Sequence, residues 1–188
     1  MKKFIALIFC ILFLFTACSD KTDNKTEINE DNYASYVGAG EMTLINILVK
    51  SNGEFVSNLF IKNHLPIDET KAVKNNIGVV FAPVNSEKYK TLADLKSHLS
   101  SIYCEKSVND IIGDKYADID GTLHFNTEYK ESDYYKLDWS EPDVFASIEA
   151  DGRYKLDITV KDAKGKDCVI TGYAVNENGS LKLETIYY

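Results

Sequence analysis

Three histidines are the first candidates for acid–base or metal chemistry in this chain of 188 residues. His64, His98 and His124 lie far apart, and no two of them stand at the short intervals by which zinc ligands are paired. Each reads as a surface or packed structural histidine. Asp118-Ile119-Asp120-Gly121 has the outline of the middle of a calcium loop, but Tyr116 stands two places before Asp118, and Thr127 falls where a bidentate glutamate is required. A turn between two strands, with Asp-Gly supplying positive φ, accounts for the same four residues. Catalysis finds no glycine-rich phosphate loop, no Gly-x-Ser-x-Gly elbow and no distinctive pair among the 29 acids. The expectation is a protein that is not an enzyme, holds no cofactor or metal, and acts by binding.

The densest mixture of aromatic and acidic residues runs from Glu128 to Asp143. Its candidate partner-binding residues are Glu128, Glu131, Asp133, Tyr134, Trp139, Glu141 and Asp143. Two readings stand. Aromatic faces with acidic rims suit a basic protein surface or a sugar polymer. Alternatively, strand alternation turns half of the aromatics into the core and the acids merely line solvated turns. The charge balance excludes one class of partner: net charge is -8, and the 21 basic residues are scattered rather than striped, so no nucleic acid is expected.

The elements that would carry these residues change character around Thr91 to Asn126. Leu92, Leu95, Leu99, Ile102 and Tyr103 recur at helical steps, and Thr91 with Asp94 forms a capping box at the entry. Ser107 reads as the N-cap of a second, shorter helix that Gly113 stops as a left-handed residue would. Upstream, a helical pattern starts at Tyr33, is interrupted at Gly38 and Gly40, and resumes from Glu41 to an Asn52-Gly53 stop. Phe55 to Ile61 continues it, giving two helices or one broken one. Ile77 to Val84 reads as a buried strand closed by Pro83.

Downstream the pattern is strand and turn. Asp133 to Trp139 is expected as one strand and Val144 to Glu149 as another, separated at Glu141-Pro142. Tyr154, Leu156, Ile158 and Val160 alternate with polar residues, so one face is wet. Cys168 to Val175 is apolar on both faces and reads as central, and Asn178-Gly179 turns the chain into its last strand. Helices followed by an antiparallel meander make an α+β fold, with N-terminal helices packed on a curved sheet. That order resembles the NTF2-like and cystatin-like cones, which host many functions.

The N-terminus reads as an address. Lys2 and Lys3 precede an apolar run from Phe4 to Phe15, the pattern of a signal peptide and shorter than the roughly 20 residues a spanning helix needs. Phe15-Thr16-Ala17-Cys18 resembles the lipobox of bacterial lipoproteins, with Phe15 where leucine or valine is usual. The resemblance implies acylation of Cys18 and an extracytoplasmic domain anchored by lipid to the cell membrane. The other reading is a secretory leader cut near Ala17. Residues 1–17 are then the signal peptide, 18–39 the lipidated cysteine and polar tether, and 40–188 a single α+β domain. Loss of Lys2 and Lys3 with the leader takes the formal charge from -8 to -10. Of the remaining cysteines, Cys10 lies in the leader, while Cys104 and Cys168 are free thiols or one bridge.

Tyr89 to Phe125, with its helix start at Thr91-Leu92, its Tyr103-Cys104 step and its Asp120-Gly121-x-Leu123 strand start, is similar to the IseA-type DL-endopeptidase inhibitors and their lipoprotein relatives in low-GC Gram-positive bacteria. The resemblance spans about residues 40–188. It implies a protein of the cell envelope that binds the catalytic domain of an NlpC/P60-type cell-wall hydrolase, blocks its cleft and restrains autolysis. The alternative is a lipid-anchored protein that binds a small ligand or glycan in an NTF2-like cavity.

Overall fold

The computed structural model describes residues 36–58, 64–129 and 136–188. The fold is α+β, with every strand pair antiparallel. The first helix, α1 (Ala39–Asn58), is unbroken where the sequence suggested a stop at Asn52-Gly53. Asn52 does not make a turn, because its amide is spent on distant partners. Its Nδ2 donates to the Tyr187 carbonyl at 2.9 Å, and its Oδ1 accepts from the Tyr103 hydroxyl at 2.9 Å and the Tyr187 N–H at 3.0 Å. Gly53 is needed for close approach: a Cβ there would lie 2.7 Å from Trp139 Cβ. The pattern read through Ile61 lies partly outside the described residues.

Next come a short 3₁₀ turn (Glu69–Lys71), β1 (Val73–Lys74) and β2 (Val80–Pro83). The strand expected from Ile77 starts three residues later. The Asn75 side chain accepts from the N–H groups of Ile77 and Val79 at 3.1 and 2.9 Å, which folds Ile77-Gly78 into a turn and leaves Ile77 exposed. Helix α2 (Leu92–Ile102) has the expected capping box between Thr91 and Asp94, and it buries Leu95, Leu99 and Ile102. Helix α3 (Glu105–Ile112) begins earlier than Ser107 suggested, with Cys104 as N-cap. Its exposed amide end is served from afar: the Glu177 carboxylate accepts from the Glu105 N–H at 3.1 Å. Ser107 is free to turn inward, where its hydroxyl donates to the Glu184 carbonyl. Gly113 ends the helix with positive φ, though its ψ of -133° is not the left-handed helical value.

Hairpin β3 (Tyr116–Ile119) and β4 (Thr122–Asn126) turns at Asp120-Gly121, both with positive φ, as the sequence indicated. These strands join β1 and β2 in a sheet of order β1-β2-β4-β3. A second sheet is a plain meander, β5-β6-β7-β8, from β5 (Leu137–Ile148), β6 (Tyr154–Asp162), β7 (Asp167–Glu177) and β8 (Ser180–Leu183). The single curved sheet of the sequence reading is thus two sheets of four strands each.

The expected break at Glu141-Pro142 is instead a wide bulge inside one strand. Asp138 pairs with Lys161 and Asp143 with Thr159, so the four residues Trp139 to Pro142 stand opposite Val160 alone. Proline is tolerated because β5 is an edge strand, where its missing N–H breaks no ladder bond. Strand β7 is interior in pairing order, but only one of its faces is covered, since Val169 is 65% exposed. Both sheets and all three helices contribute to one core, including Ile45, Phe55, Leu99, Leu123, Ile158 and Leu183.

Candidate functional site

The candidate residues between Glu128 and Asp143 do not form one surface. Glu131, Asp133 and Tyr134, with Tyr135, lie outside the described residues. Glu128 is exposed in the turn after β4, its N–H donating to Asn126 Oδ1 at 3.0 Å. Trp139, Glu141 and Asp143 belong to the β5 bulge of the other sheet. Trp139 is only 5% exposed and packs on Gly53 of α1, as the core reading of alternate aromatics required. Glu141 and Asp143 are exposed. The bulge therefore has an anchored indole at one end and two solvated carboxylates at the other.

Its entry is fixed locally. The Asp138 carboxylate accepts from the Ser140 N–H at 2.9 Å, and that bond, together with the Ser140 hydroxyl, holds the carboxyl below its ordinary range. Across the ladder, Lys161 donates to Asp167 at 2.6 Å. That bond first, then the negative charges of Asp167, Asp138 and Glu141, keeps the ammonium of Lys161 above the ordinary lysine range.

Beside the bulge is a cleft of about 750 Å³ that sequence reasoning missed. One wall is α1 with Lys50, Gly53, Glu54 and Ser57; the others are the start of β5 and the turn between β6 and β7. The i, i+4 spacing of Lys50 and Glu54 puts both on one helix face, which was legible. That this face meets β5 across a gap was not, because the pairing spans some eighty residues of chain.

The histidines are occupied in packing. His64 stacks on Phe125 at 4.5 Å between ring centroids, and its Nδ1 lies 2.6 Å from the Leu65 carbonyl. His98 sits between the rings of Phe55 and Tyr89, at 5.7 and 5.5 Å, and burial, followed by the charge of Lys88, pushes its imidazole below the ordinary value. His124 is buried, its Nδ1 2.9 Å from the Thr122 carbonyl. It borders a second hollow of about 570 Å³ that also holds Asp68 and Lys71. The Asp68 carboxylate is engaged there by the Thr70 hydroxyl at 2.5 Å and by Lys71 at 2.9 Å. Tyr89, buried beside His98, has a hydroxyl without a hydrogen-bond partner among the described residues, and its titration is pushed well up by burial.

Cys104 and Cys168 are both free thiols. Cys104 is buried, with its sulfur 3.5 Å from Ser107 Oγ. Cys18 lies outside the described residues. Among the described residues no helix is long and apolar enough to cross a membrane. Neither the protein-family models nor the curated proteins compared with this chain gave a match.

Proposed function

We propose that this chain is a surface lipoprotein of the bacterial cell envelope that binds an NlpC/P60-type DL-endopeptidase and restrains its action on peptidoglycan. In this reading residues 1–17 are a signal peptide, Cys18 carries the lipid, the polar stretch to residue 39 is a tether, and residues 40–188 form the binding domain. The domain would be a member of the cone-shaped NTF2-like or cystatin-like group. The α+β order, helices ahead of an antiparallel meander, is compatible with that assignment.

The observation that carries the proposal is the β5 bulge. An inhibitor of a groove needs a projecting segment that is already rigid, because ordering a loose one on binding consumes affinity. Here four residues are extruded from an edge strand, held at one end by buried Trp139 and by the Asp138 to Ser140 bond. Glu141 and Asp143 point into solvent at the other. Carboxylates so placed match a basic groove and raise the rate of encounter with it.

The test is a digestion assay. Purified domain 40–188 in excess should slow the release of muropeptides by an NlpC/P60 endopeptidase, and Glu141→Lys with Asp143→Lys should relieve the inhibition. Equal rates with and without the wild-type domain would end the proposal.

A further inference from the structure

The cleft beside the bulge carries an inference that goes beyond hydrolase binding and does not depend on it. We propose that it is a binding site for a small amino-carboxylate ligand, an acidic amino acid or a short peptide ending in one.

Charge selects the ligand class. Three of the six ionic groups that line the cleft already have hydrogen-bond or ion-pair partners within the protein. Asp138 accepts from the Ser140 N–H at 2.9 Å. Asp162 accepts from the N–H groups of Lys164 and Lys166 at 2.8 and 2.9 Å. Lys161 is held by Asp167 at 2.6 Å. Three lining charges remain: the ammonium groups of Lys50 and Lys136 and the carboxylate of Glu54. Among the described residues none of the three has an ion-pair partner within 4.0 Å.

In a chain of net charge -8 the cleft lining is locally neutral, with three lysines and three carboxylates, and among the described residues Lys50 and Lys136 are its two cations without an ion-pair partner. A ligand with two carboxylates would satisfy them, and an ammonium group on the same ligand would satisfy Glu54. A bare phosphate fits less well, because it would bring its charge against the Glu54 carboxylate.

Size and rigidity agree with this class. About 750 Å³ lies within the range of small-molecule sites, roughly 300–1,000 Å³. The wall between α1 and β5 is closely packed, since Trp139 Cβ sits 2.7 Å from where a Gly53 side chain would begin. That wall is therefore fixed before the ligand arrives, and the ordering to be offset is that of the exposed Lys50, Lys136 and Glu54 side chains. The hydroxyl of Ser57, on the α1 wall, supplies a neutral hydrogen bond to an amide or carboxylate oxygen.

Trp139 is the only tryptophan in the chain, so the site has its own reporter. The domain should show a saturable change in tryptophan fluorescence, matched by calorimetry, when titrated with L-glutamate or with the dipeptide Ala-Glu. L-lysine should give none, and inorganic phosphate only weaker binding. The double variant Lys50→Ala, Lys136→Ala should weaken glutamate binding by about ten-fold or more, with the unbound emission spectrum and thermal transition unchanged. Glu54→Gln should weaken glutamate but not glutarate, which has the two carboxylates without the amine. No saturable heat up to about 10 mM of either glutamate or Ala-Glu would overturn the proposal, as would glutamate affinity indifferent to the double lysine variant. Phosphate binding as tight as glutamate would overturn the ligand class. None of these readouts involves an endopeptidase, so the inhibitor reading and this one fail separately.

Discussion

Replacing Asn52 with alanine is the sharpest test of how this fold is held. The Asn52 amide is fully buried and makes three hydrogen bonds, to the Tyr187 carbonyl, the Tyr187 N–H and the Tyr103 hydroxyl. It thus ties α1 to the end of α2 and to the C-terminus. Alanine removes all three bonds at once and leaves their partners buried. A buried polar group without a partner costs about 1–3 kcal/mol, and a water entering the new space would recover part of that for one of them. The expected loss is therefore about 3–5 kcal/mol, a large share of the roughly 5–15 kcal/mol that stabilises a domain. With a urea m-value of about 2 kcal/mol/M, the unfolding midpoint should fall by about 2 M with m unchanged. Tyr103→Phe is the companion variant. It removes one donor while Asn52 Oδ1 keeps the Tyr187 N–H, so the expected loss is about 1 kcal/mol. If Asn52→Ala cost no more than Tyr103→Phe, the claim that this amide joins three elements would be wrong.

Other expectations follow from particular contacts. At Gly172 a Cβ would overlap Cζ and the hydroxyl oxygen of Tyr187, whose hydroxyl accepts from the Tyr173 N–H at 2.7 Å and donates to its carbonyl at 3.0 Å. Gly172→Ala should displace that ring and cost about 2–3 kcal/mol by denaturant unfolding, against no loss if the C-terminal segment were loosely held. Thr91→Ala removes the α2 cap and should cost about 1 kcal/mol, measured the same way. His98 has a folded pKa below its unfolded value of 6.5, so its contribution is complete above that pH and is lost as pH falls through the folded value. The acid limb of the stability curve should flatten in His98→Phe. An imidazole that titrates at or above 6.5 by NMR would contradict the burial argument.

What was legible in the chain was local. The Thr91–Asp94 box and the apolar stripe of α2 lie within one helix, and the Asp120-Gly121 and Asn178-Gly179 turns within one hairpin each, so residue type alone decided them. Three of the misreadings share a different cause: each residue had a partner far away in sequence. Asn52-Gly53 looked like a helix stop because nothing nearby reveals that Tyr187 takes the amide and Trp139 fills the space of the missing side chain. Ser107 looked like an N-cap because the real cap partner, Glu177, is on β7. Glu141-Pro142 looked like a break because a bulge is visible only once the register against β6 is known.

The candidate site divides along the same line. The acidity of Glu141 and Asp143 was plain in the composition, and strand alternation anticipated the inward turn of Trp139. The cleft was invisible, since Lys50 and Lys136 meet only through the packing of α1 on β5.

The central claim is that this protein acts through the segment extruded from β5 on an enzyme of the cell wall. The most direct measurement is the rate at which an NlpC/P60 endopeptidase cuts purified peptidoglycan in the presence of domain 40–188. The account predicts a rate that falls with added domain and recovers when Glu141 and Asp143 carry the opposite charge. A rate unmoved by a large excess of the wild-type domain would contradict it.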